Sequence, residues 1–149
     1  MHKHITVAVC GLLSGPAFAG ELTVSIEIPR LNVAEYHRPY VAVWLERADQ
    51  SHAANLAVWY DLKLKNGEGT KWLKDLRQWW RRSGRELDLP LDGLTSPTRA
   101  AGKHELTFSD TTAPLTGLAP GEYRLVVDSG DALFAEPMAQ DNELTVVVQ

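Results

Sequence analysis

YVAVWLERADQSHAANLAVWYDLKL, residues 40–64, is the stretch on which the fold turns. Two runs rich in β-branched and aromatic residues, 40–46 and 56–64, flank a connection whose Asp49, Gln50 and Ser51 are turn formers. This predicts an antiparallel hairpin with Trp44 and Trp59 turned towards a core. Upstream, Leu22, Val24, Ile26 and Ile28 alternate with Thr23, Ser25 and Glu27 as far as Pro29, the period of two of a half-buried strand. Downstream, residues 104–108, 123–128 and 144–148 are three more short runs, each bounded by Gly, Pro, Asp or Ser. Residues 118–125 (LAPGEYRL) have the pattern of a tyrosine corner, in which the Tyr123 hydroxyl bonds back to the backbone before a late strand. The expected fold is all-β, an immunoglobulin- or fibronectin-like antiparallel β-sandwich.

Such a sandwich takes about 100 residues, so a longer chain must carry an insertion, and residues 66–101 are the place for it. There the period changes. Trp72, Leu76, Trp79 and Trp80 recur at helical spacing while Lys74, Arg77 and Arg81 fall elsewhere, which predicts one short amphipathic helix over about residues 70–83. Thr70 is placed to cap it, Arg81 and Arg82 suit its C-terminal end, and Gly84 suits its termination. The helix is expected to cover one end or edge of the sandwich.

The first residues read as an address. Met1, His2, Lys3 and His4 form a basic start, residues 5–13 are apolar apart from Thr6 and Gly11, and Ala17-Phe18-Ala19 is a cleavage site. Residues 1–19 are therefore expected to be a removed signal peptide, and 20–149 a single exported, periplasmic domain that is not embedded in a membrane. Cys10 follows Val9, where a lipoprotein leader wants a small residue. Beyond the leader there is no cysteine, hence no disulfide and no thiol nucleophile. A chain of this size can bury about two-thirds of its unfolded surface, so its core suffices to hold it.

Chemistry-bearing motifs are sparse. His37, His52 and His104 are too scattered for a zinc site, no G-x-S-x-G occurs, and Gly67-Glu68-Gly69 lacks the Lys-Ser of a phosphate loop. No enzyme, metal or cofactor is expected. The charge pattern says more: residues 71–103 hold eight basic side chains against four acidic, whereas the full 149-residue chain has 15 against 19. A basic, tryptophan-bearing insertion on an acidic body suits an anion, because Arg forks recognise carboxylate and phosphate and Trp stacks on planar groups. The same residues also read, and more simply, as core tryptophans beneath a solvated helix face. Nucleic acid is a poor partner for an acidic exported protein.

Taken in order, residues 36–46 (YHRPYVAVWLE), 56–60 (LAVWY), 71–77 (KWLKDLR), 79–81 (WWR) and 98–102 (TRAAG) resemble the bacterial periplasmic family called domain of unknown function 2271. Residues 128–140 depart from the family pattern in carrying no Arg. The resemblance implies an accessory role in iron-siderophore or haem acquisition or in periplasmic electron transfer. It implies haem or a ferric chelate as ligand and a PepSY-type membrane reductase or an iron-uptake component as partner. The residues placed at such a binding surface are Tyr36, Arg38, Tyr40, Arg77, Trp79, Trp80, Arg81 and Arg99. Tyr36, Arg38 and Tyr40 read equally as a clamp on the strand entry, with Arg38 paired to Glu35 or Glu46, and Arg99 as a brace on Glu46 or Asp61. Two other readings stand beside this one: an interaction domain with no small ligand, whose basic face docks on an acidic protein, and a carbohydrate-binding module.

Overall fold

A computed structural model describes residues 6–11, 21–28, 30, 32, 37–119, 121–130 and 142–148, with 6–11, 130 and 142–148 described by their backbone. The strands are β1 (Thr6–Gly11), β2 (Glu21–Ile28), β3 (Tyr40–Glu46), β4 (His52–Tyr60), β5 (Thr95–Pro97), β6 (Gly102–Ser109), β7 (Gly121–Gly130) and β8 (Asn142–Val148). Between β4 and β5 lie a 3-10 segment (Lys65–Asp75), the helix α1 (Arg77–Arg82) and a 3-10 turn (Gly84–Glu86). The protein is mostly β, with two sheets in the orders β1-β2-β6 and β5-β4-β3-β7-β8.

The expected β2, β3, β6, β7 and β8 are all present, and β2 buries Leu22, Val24, Ile26 and Ile28 as its alternation requires. The hairpin forms as well. Its loop is closed by the Gln50 amide donating to the Arg47 carbonyl and the Arg47 amide donating to that of Ser51. That tight loop starts β4 at His52 and ends it at Tyr60, four residues before the end expected for the run 56–64. Not every pairing is antiparallel: β5 runs parallel to β4, with Trp59 opposite Ser96. Residues 6–11, expected within the leader, run antiparallel beside β2 in the full-length chain.

β3 is the pivot. Apart from Tyr40 it is buried throughout, because both of its faces are covered. Val41, Val43 and Leu45 join Leu22, Val24, Ile26, Ile28, Trp59, Leu125 and Val127 between the sheets. Ala42 and Trp44 join Val58, Tyr60 and Val126 on the outer face, where Leu73, Leu76 and Trp79 of the insertion seal them. Trp44 and Trp59 are thus both buried but on opposite faces, since the register sets Val41 opposite Trp59 and Trp44 opposite Asn55.

The insertion therefore lies across a sheet face and not at an end or edge. Nor is it one helix over 70–83. The chain breaks at Leu76 (φ −76°, ψ 70°), between a 3-10 segment and an α1 of only six residues. In a 3-10 segment the side chains eclipse every three residues, and the buried set Leu73, Leu76 and Trp79 follows that spacing. Trp72 falls one residue out of phase and is 45% exposed. Thr70 does not cap α1; its hydroxyl donates to the Gly67 carbonyl. Gly84 does more than end the helix, because a Cβ there would lie 2.5 Å from the Trp79 ring.

These placements predict opposite outcomes for two tryptophans. Trp79→Ala removes a wholly buried ring and costs about 3–5 kcal/mol, whereas Trp72→Ala costs about 0.5 kcal/mol or less. Urea unfolding of both variants checks this, and equal losses would contradict the register of the insertion.

Candidate functional site

The outer layer is fastened by polar groups that the sequence gives no reason to pair. Glu46, 2% exposed at the end of β3, accepts from Trp44 Nε1 at 3.0 Å, and Arg82 Nε lies 3.0 Å from the same Oε1. Arg82 also donates to the Gln50 carbonyl. Asp128, buried on β7, accepts through Oδ2 from the amides of Gln78 (3.2 Å) and Trp79 (3.3 Å). A short helix thus has its first-turn N–H groups capped by a neighbouring strand, which compensates for Leu76 having no capping side chain. Asn55 Oδ1 takes the Trp79 indole N–H at 2.9 Å and the Ser83 hydroxyl at 3.3 Å. α1 is therefore tied to the sheet at its start, middle and end.

The predicted site residues divide between the two faces of the five-stranded sheet. Tyr36 lies outside the described residues. Arg38 is exposed ahead of β3. Tyr40 is half-buried, donates from its hydroxyl to the Gly69 carbonyl at 3.0 Å and meets Tyr60 edge-on with ring centroids 6.3 Å apart. Trp79 is wholly buried, and Trp80 leans against it at 6.4 Å and 53°, half-buried. Arg77 and Arg81 are exposed on α1, with Arg81 Nε donating to the Arg77 carbonyl at 3.2 Å. Tyr40, Trp79 and Trp80 thus gather around the outer core, and the two arginines lie outside it.

Arg99 is elsewhere. Its guanidinium carbon sits 4.3 Å from the centroid of the Trp59 ring, whose side chain belongs to the core between the sheets. His104 meets the same indole edge-on at 5.8 Å and 74°. Its Nε2 lies 2.7 Å from the Ala100 carbonyl, so that nitrogen carries the proton and ties the loop after β5 to β6. Among the described residues no carboxylate pairs with Arg99; Glu46, one of its expected partners, is taken by Arg82. A guanidinium with one face on an indole can still donate from its planar N–H fork to a carboxylate or phosphate. Sequence reasoning found Arg99 but missed Trp59 and His104 as its supports, because both read as ordinary strand residues.

Among the described residues no group of three His, Cys, Asp or Glu side chains could hold a metal, and no helix is long and apolar enough to cross a membrane. The family model described as predicted periplasmic protein (DUF2271) matches residues 21–131. The chain belongs to the DUF2271 family. Its place is accordingly the periplasm. No curated protein and no solved structure matches the chain. The DUF2271 match runs from β2 to the end of β7, taking in the insertion and the Arg99 corner.

Two outcomes follow for this DUF2271 protein. Arg82→Met leaves Glu46 buried without its cation and costs about 2–4 kcal/mol, much of which the double variant Arg82→Met/Glu46→Gln recovers. Urea unfolding reads both, and a double variant no better than the single would remove the ion pair from the account. Burial raises the ionisation of the Tyr40 and Tyr60 phenols above the ordinary 10.0. Both are neutral in the fold while the unfolded chain ionises, so their contribution to stability is complete below pH 10.0 and is lost as pH rises through the folded values. Ultraviolet titration of the phenols is expected to show these two ionising late.

Proposed function

We propose that this DUF2271 protein is a periplasmic accessory module that receives an anionic group of its ligand or partner at Arg99. The observation that carries this reading is the half-buried Arg99 guanidinium, stacked on Trp59 and paired with no carboxylate among the described residues. Burying a cation without a counter-charge is costly, so the arrangement gains from an anion brought from outside. Carboxylate-bearing ferric chelates and the propionates of haem have the chemistry the fork accepts. The scaffold suits the role: loops at the end of a rigid sandwich are where binding groups are held in place.

We read that scaffold as immunoglobulin-like. Its support is the pairing β2-β6 against the run β4-β3-β7-β8 within the order β5-β4-β3-β7-β8, which parallels B-E against C′-C-F-G, together with the Tyr123 hydroxyl donating to the Ala119 carbonyl four residues upstream.

The second reading is an interaction domain that docks an acidic protein on the cationic outer face of α1. It is favoured by the complete burial of Trp79 beside an exposed Arg77 and Arg81, since a buried indole cannot stack on a ligand.

Trp59 is the built-in reporter of the Arg99 site. Titration of the protein with ferric citrate and with haemin is expected to give a saturable fluorescence change. Arg99→Gln is expected to weaken binding about tenfold or more, as loss of charge-assisted hydrogen bonds implies, with the melting temperature held. Equal affinity in the variant would sink the Arg99 reading. Loss of partner capture in Arg77→Glu/Arg81→Glu, with Arg99→Gln silent, would establish the second.

A further inference from the structure

Among the described residues four large hydrophobic side chains are exposed, and three of them fall within eleven residues: Leu62 (37%), Leu64 (39%) and Trp72 (45%). The backbone brings them together. Gly69 abuts Asp61 so closely that a Cβ on it would lie 1.9 Å from the Asp61 carbonyl oxygen, and Tyr40 holds the Gly69 carbonyl from below. Leu62 and Leu64 therefore loop out beside the 3-10 segment that carries Trp72. Four of the chain's six lysines, Lys63, Lys65, Lys71 and Lys74, stand in the same stretch, and all four are exposed. Glu68 lies among them, its 3.7 Å ion pair with Lys71 joining side chains 70% and 55% exposed in the order Lys, Glu, and the half-buried Asp61 and Asp75 flank the stretch at its two ends.

From this we infer that the Leu62–Leu64–Trp72 surface docks the protein on an anionic phospholipid bilayer. Composition decides between a lipid and a protein partner. Lysine is depleted at protein interfaces, where arginine is favoured. Lysines ringing an exposed Trp and Leu are instead the pattern of a peripheral membrane surface, in which the apolar groups enter the headgroup region and the ammonium groups meet lipid phosphates. Lysine stems can lie along apolar surface while their charged ends stay in water. Trp is suited to the boundary, with an apolar ring and one polar N–H. Its exposure has no structural compensation here: Leu73, not Trp72, fills the outer core. The inference stands independently of the Arg99 site, which lies on the other face of the sheet.

Co-sedimentation of the mature protein with vesicles tests it, using phosphatidylcholine alone and phosphatidylcholine mixed with phosphatidylglycerol. Binding is expected to the mixed vesicles only, to weaken as salt rises, and to shift the Trp72 emission to the blue. Trp72→Ser and Lys71→Glu/Lys74→Glu are each expected to bind about tenfold more weakly or worse, with far-ultraviolet circular dichroism and melting temperature unchanged. Lys103→Glu, an exposed lysine on β6, is expected to bind as the unmodified chain does. No binding to mixed vesicles, binding indifferent to Trp72→Ser, or an equal loss in Lys103→Glu would each overturn the inference. Capture of a soluble acidic protein through the same residues without vesicle binding would overturn it in favour of a protein partner.

Discussion

The double burial of β3 is the constraint on which the remaining structure depends. A strand whose two faces are both apolar needs a cover on each side. The three-stranded sheet supplies one. The other face, carrying Trp44, Val58, Tyr60 and Val126, exposes large rings that water would penalise, and the insertion after β4 exists in its observed form to cover them. A helix of six residues does not form by itself, so α1 owes its existence to the surface beneath it. Its sequence supplies the apolar residues at the spacing of three that this surface requires, and the break at Leu76 joins the 3-10 phase to the α phase without losing contact.

Apolar contact alone would let such a cap slide. The polar groups under it fix its position: the Asp128 carboxylate marks where α1 starts, the Asn55 amide marks the azimuth of Trp79, and the Glu46 carboxylate marks where Arg82 must stand. A buried ion pair adds little net stability over an apolar replacement, but a half-made one is strongly unfavourable. Glu46 with Arg82 therefore acts against misplaced caps more than for the right one. Gly84 works in the same sense sterically, since only a residue without Cβ lets the chain turn against the Trp79 ring.

How far the sequence carried depended on whether the information was local. β2 was legible because its alternation is a property of eight adjacent residues, and the Tyr123 corner because its pattern spans few positions. The hairpin was legible but its frame was not: a loop closed by Arg47, Gln50 and Ser51 moves β4 four residues towards the N-terminus, and only hydrogen bonding sets that. Three adjacent residues with a Pro give no strand signal, so β5 was invisible. A uniform helical period puts Trp72 on the buried stripe, whereas the chain changes period at Leu76. Of the residues proposed for binding, Arg99 was visible as an isolated basic residue in a Pro-shaped loop. Its supports were not, because nothing in one sequence says that Trp59 and His104 converge from β4 and β6.

The two proposed surfaces are separated by the sheet that β3 anchors. Arg99 rests on a ring belonging to the inner core, and the Leu62–Leu64–Trp72 surface rests on the layer that covers the outer core. Between them stand Val41 to Leu45, packed on both sides and hydrogen-bonded to β4 and β7 along their length. Substitutions at sites that share no partner combine additively, so lesions in one surface should leave affinity at the other unchanged. A flexible module would mix the two. In this one the strand that made the insertion necessary also stands between the surface the insertion carries and the arginine behind it, so that occupancy of either proposed surface should leave the geometry of the other unchanged.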